Sequence, residues 1–99
     1  MPFVPVTPQV AVPELRIDGT SGRALLDDNR KAAYAVHKAR DALMLTAPHG
    51  RDYQHNVAHY HKARAEHSAR LAALSHILIE LDLIAFAINN QLNEQSFLS

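Results

Sequence analysis

The sequence predicts an all-α protein: an antiparallel two-helix hairpin with a long second helix and an extended Pro-rich N-terminal arm, assembling into an oligomeric helical bundle. Three observations carry that expectation. Leu71, Leu74, Leu78, Leu81, Ala85, Ile88 and Leu92 recur at alternating steps of three and four, the seam of a helix that packs along its length. The same stretch carries a second apolar line, Ile79, Leu83 and Phe86, on roughly the opposite side at about 100° per residue. Pro48 and Gly50 interrupt the helical pattern once, so its two parts must fold back on each other. One neighbour cannot cover both sides of the second helix, so it is expected to have one partner inside its own chain and another in a second copy. Ile79, Leu83 and Phe86 are the expected oligomer interface. The organisation that follows is an arm and turn over residues 1–21 and a helical hairpin over 22–99, with a helix at about 22–46, a turn at 47–52 and a helix at about 53–92.

Composition narrows the function classes. A chain of 99 residues makes one domain with a small core, and association is a common remedy for that. The formal charge is zero and the pI near 7.1, so the global basic field of a non-specific nucleic-acid binder is missing and nucleic acid is not an expected partner. The chain has no cysteine, which excludes disulfides and thiolate metal sites. The apolar run from Ile77 to Ile88 is broken by Glu80 and Asp82 and is shorter than the roughly 20 residues of a membrane span. The N-terminus has prolines where a signal peptide has a basic start and an apolar core. A soluble cytoplasmic protein with no membrane partner is expected. Seven histidines make the net charge more positive between about pH 7 and pH 5.5, since free imidazoles titrate near 6.5.

The arm holds prolines at 2, 5, 8 and 13 with Val4, Val6, Val10 and Val12 between them. Proline fixes φ and removes a donor, so this stretch is extended and its valines suit an apolar groove of another subunit. Ser21 or Thr20 caps the first helix, and Asp27 and Asp28 suit its early turns. In that helix Leu25, Ala32, Val36, Ala39 and Leu43 keep the seam spacing, with Asn29 and Thr46 filling it; the two alanines would admit a close partner. Lys31 and Arg40 belong to a solvated face, Lys31 paired with Asp27. Gly50 supplies the positive φ of the reversal, and Asp52 caps the second helix.

Traced backwards, the Leu71 seam continues through His67, Arg64, Tyr60 and Val57, so it is polar in its first half. Buried polar groups need partners, and this layer either fixes register internally or binds a ligand. The ligand reading joins Arg51, Tyr53, Tyr60, Arg64 and His67 as a candidate site for a nucleotide or other small anion, with a cation beside aromatic rings. His55 and His59 stand one turn apart, as helical zinc ligands do, but Asn56 stands where a metalloprotease needs glutamate and no third ligand is evident. Metal binding there is therefore a third reading, and no cofactor is expected.

The pattern Ala47, Pro48, Gly50, Arg51, Asp52, Tyr53, followed by a helix with Glu66, His67 and Arg70, resembles small uncharacterised proteins of tailed bacteriophages and prophages. The resemblance covers about residues 24–90 and departs where Gln54 replaces the second aromatic that such proteins often carry. It implies no activity and no catalytic residue. It implies a context, a small accessory protein in the cytoplasm of an infected bacterium. The leading expectation is thus a non-enzymatic homo-oligomer that inhibits a host factor, as in anti-defence, or structures an assembly. The alternative is a protein that binds or sequesters a small anionic ligand.

Overall fold

The computed structural model describes residues 10–98, with side chains through 95; the expectations for Pro2, Val4, Pro5, Val6 and Pro8 lie outside the described residues. Two helices and one short 3-10 turn make up its regular structure: α1 Gly22–Met44, the turn Gly50–Tyr53, and α2 Val57–Leu98. The hairpin is as expected. Its bounds differ from the sequence reading in ways that the caps explain.

At the start of α1 the Ser21 hydroxyl accepts from the Ala24 amide at 3.1 Å, satisfying one of the free donors of the first turn. The helix ends at Met44, two residues short of the expected Thr46, because the chain tightens: the Leu45 and Thr46 amides donate to the Ala42 and Leu43 carbonyls. Thr46 does not fill the seam; it is exposed and its hydroxyl donates to the Leu43 carbonyl at 2.7 Å. The reversal needs no positive φ, at Gly50 or elsewhere among the described residues, since the 3-10 turn carries it. Asp52 is not the cap of α2. Its amide closes the turn onto the His49 carbonyl at 3.0 Å, and Asn56 caps the helix by accepting from the His59 amide at 2.9 Å. α2 therefore begins at Val57 and not at Tyr53, and it runs past Leu92 to Leu98. Its 42 residues span about 63 Å at 1.5 Å per residue, which sets the 67 Å long axis of the molecule.

Of the expected α1 seam, Leu25, Asn29, Val36 and Leu43 are half-buried, and the packed line departs from that reading at Ala32 and Ala39, where Ala33 and Arg40 take their places. Gly22, Leu26, Asn29, Ala33, Val36, Arg40 and Leu43 are the buried or half-buried positions at steps of four and three, while Ala32 and Ala39 are exposed. Arg40 is accordingly not on a solvated face. It lies half-buried and its Nε donates to Ser75 Oγ at 3.0 Å across the hairpin. Lys31 does pair with Asp27, at 3.0 Å on the surface, and that hydrogen bond raises the lysine pKa. On α2 the leucine seam is as read, with Leu71, Leu74, Leu78, Leu81 and Ala85 half-buried and Ile88 fully buried. Towards its start the seam keeps Tyr60 and His67, but Val57 and Arg64 are exposed and Ala63 is half-buried in place of Arg64.

The arm closes on its own chain. Val10, Pro13 and Leu15 are half-buried, and the Gln91 side chain bonds the backbone of Pro13 and Leu15. The described part of the arm thus packs at the far end of α2.

Candidate functional site

The turn places an aromatic cluster at the closed end of the hairpin. Tyr53 ends the 3-10 turn, Asn56 fixes where α2 starts, and Tyr60 follows one helical turn later, so the two tyrosine rings meet with centroids 5.8 Å apart. His59 stands edge-on to Tyr53 at 5.6 Å, and the His61 ring lies 5.8 Å from that of Tyr60 at a tilt of 44°. Arg64, four residues beyond Tyr60, sets its guanidinium 5.7 Å over the Tyr60 ring, within the distance at which a cation is drawn to an aromatic face.

Of the five residues read as a ligand site, the structure joins Tyr53, Tyr60 and Arg64 into one stack. Arg51 is exposed on the same turn. His67 is 8% exposed and lies between the helices, two turns and about 10 Å along α2 from Tyr60, so it belongs to the packed seam and not to the stack. Among the described residues no fully buried side-chain nitrogen or oxygen lacks a partner. His55 lies in the turn ahead of α2, so the helical one-turn spacing with His59 is not formed, and no group of three potential metal ligands converges among the described residues.

Two open grooves lie at the other end of the molecule. One, about 510 Å³, is lined by Leu15, Ile17, Gly22, Arg23, Leu92 and Gln95; a second, about 400 Å³, lies beside Arg23, Leu26, Asp27 and Arg30. The helical pattern marks Gly22 only as the start of a helix. The signal that could have marked this place is the pairing of a glycine at the first helical position with Gln91, the one polar side chain among the half-buried groups near the end of the seam.

The longest continuous feature is the side of α2 that faces away from α1. Ile79 and Leu83 are 49% and 36% exposed and Phe86 is 67% exposed, with Ile77 beside them. Within Val57–Gln95 an 18-residue window reaches a mean hydropathy of 2.0 and is only 6% buried, so by length and composition α2 is apolar enough to cross a membrane. The break that Glu80 and Asp82 make in the apolar run does not remove that property. A bilayer would nevertheless have to take up both carboxylates and the charged α1 packed alongside, which is costly. No known family model, curated protein or solved structure matches the chain.

Proposed function

We propose that the chain is a non-enzymatic binding protein that works as a homo-oligomer, of the small phage accessory kind, acting in the cytoplasm of the host bacterium on a host factor or within an assembly. The observation that carries this reading is the line of Ile79, Leu83 and Phe86, large apolar side chains left in water on a helix whose other side is packed. A face of this kind is stabilised by burial at about 25 cal/mol per Å², and association supplies that burial. Native mass spectrometry with sedimentation at micromolar concentration tests it: a multiple of the 11.0 kDa subunit is expected, and a lone subunit overturns it.

A second reading is favoured by the Tyr53, Tyr60 and Arg64 stack, which offers an aromatic platform and a guanidinium to a small anion such as a nucleotide. On that reading a nucleotide panel raises the melting temperature, with about 2.7 kcal/mol of stabilisation at a hundredfold excess over the dissociation constant. Arg64→Ala removes the shift. No response to any nucleotide or to inorganic phosphate eliminates this reading.

A further inference from the structure

The exposed side of α2 has a pattern that decides how a second copy fits. Read at steps of three and four, it runs Ala65, Ala69, Ala72, then His76, then Ile79, Leu83, Phe86, and all seven are exposed. One half of the line is made of methyl groups and the other of large side chains. From this we infer that two copies pair through α2 in antiparallel orientation, about a two-fold axis that passes between His76 and Ile79; the inference rests on the homo-oligomer reading above and assigns its geometry.

The size argument is a packing argument. In an antiparallel helix pair each layer joins positions whose residue numbers have a constant sum, so an axis between His76 and Ile79 sets Leu83 against Ala72 of the second copy and Phe86 against Ala69 of the second copy. Leu83 and Phe86 each meet an alanine, while Ile79 packs beside His76 of the second copy next to the axis, so the two bulkiest contacts of each copy are set against methyl groups. A parallel pair would set Phe86 on Phe86 and Ala69 on Ala69, wide at one end and hollow at the other, which costs both overpacking and voids.

Charge points the same way. Between Val57 and Leu74 the helix carries Lys62, Arg64 and Arg70 against Glu66, whereas from Ser75 to Gln95 it carries Glu80, Asp82 and Glu94 and neither lysine nor arginine. Antiparallel copies lay the basic half along the acidic half and oppose their helix dipoles; parallel copies stack like on like. A lipid surface satisfies neither pattern, and it would have to accept the polar contact of His76 Nε2 with Glu80 Oε1, formed at 2.8 Å beside the line. α1 packs on the leucine seam and leaves this side open, so the assembly has two α2 helices at its centre and the two α1 helices outside.

Because the chain has no cysteine, introduced thiols report the contact without background. Ala72→Cys and Leu83→Cys are made singly, and each protein is treated with a short bismaleimide alone and after the two are mixed and allowed to exchange. The antiparallel pair predicts cross-linked dimer in the mixture and little in either variant alone, where like positions lie about 16 Å apart along the axis at 1.5 Å per residue. Cross-linking of each single variant with itself overturns the inference in favour of a parallel pair. A wild-type dimer by native mass spectrometry with no cross-link in any sample places the interface elsewhere and overturns the geometry alone. A lone subunit overturns both the geometry and the oligomer reading beneath it. Flotation of the wild-type protein with phosphatidylcholine vesicles overturns it in favour of a membrane surface.

Discussion

Gln91 holds Leu15 from 76 residues away in the sequence: its Oε1 accepts from the Leu15 amide at 2.8 Å. The other end of the same carboxamide donates to the Pro13 carbonyl at 2.9 Å, so one side chain satisfies both backbone groups of an extended segment. Pro13 has no amide to offer, and the residues beside it have no strand to pair with. A glutamine on the helix supplies what a neighbouring strand would.

Gln91→Ala removes both bonds at a half-buried place, and a loss of about 1 to 2 kcal/mol in urea unfolding is expected. Hydrogen exchange at the Leu15 amide should accelerate more than exchange in the middle of α1. Unchanged protection of Leu15 would show that the arm is held by other contacts.

Gly22→Ala sets two effects of opposite sign against each other. Alanine is the better helix former by about 1 kcal/mol. A Cβ at Gly22, however, would lie 2.7 Å from Leu15 Cδ1, 2.8 Å from Leu92 Cδ2 and 3.2 Å from Leu92 Cγ. The clash wins if both leucines are held, giving a net loss of about 1 kcal/mol. In a background with both Leu15→Ala and Leu92→Ala, which removes all three contacts, the same change should turn neutral or stabilising in thermal unfolding, and a loss of equal size there would refute the steric account.

Arg40 and Ser75 should couple. Arg40→Lys keeps the charge but loses the Nε donor that meets Ser75 Oγ at 3.0 Å, and Ser75→Ala loses the acceptor. A double-mutant cycle is expected to give roughly 0.5 to 1.5 kcal/mol of interaction. Additive single effects would mean that the bond contributes nothing net.

Asn56→Ala tests where α2 begins. Loss of the cap on the His59 amide is expected to cost about 1 kcal/mol, while Asp52→Ala should stay within about 0.5 kcal/mol. The reverse ranking, read from chemical denaturation, would move the start of the helix back to the turn.

The seam of α2 was legible because seven apolar residues repeat without a gap from Leu71 to Leu92, and only a helix puts them on one side. The seam of α1 was legible at Leu25, Asn29, Val36 and Leu43 and not between them. Ala32 and Ala33 are the same residue type, so composition does not choose between them, and preferring Ala39 to Arg40 follows the ordinary rule that arginine is exposed. The fold reverses that choice because Ser75 stands opposite, and a serine hydroxyl makes the half-buried guanidinium acceptable. Arg64 went the other way: the Leu71 repeat, extended backwards, put it inside, and the structure turns it outward over Tyr60 and half-buries Ala63 in its place.

The cap of α2 shows the same division. Asp52 and Asn56 are both good capping residues, and a local rule cannot rank them. The 3-10 turn does so by using the Asp52 amide to close on His49. What the sequence determined by itself was the helical hairpin and the two-sided character of α2, since periodicity is a property of consecutive residues and needs no neighbour. The tertiary structure decided that Ala33 and Arg40, and not Ala32 and Ala39, face the hairpin, that His67 is buried, and that Pro13 and Leu15 return to Gln91. Each of those depends on which group stands across a contact between residues far apart in the chain, and no window along the sequence contains both partners.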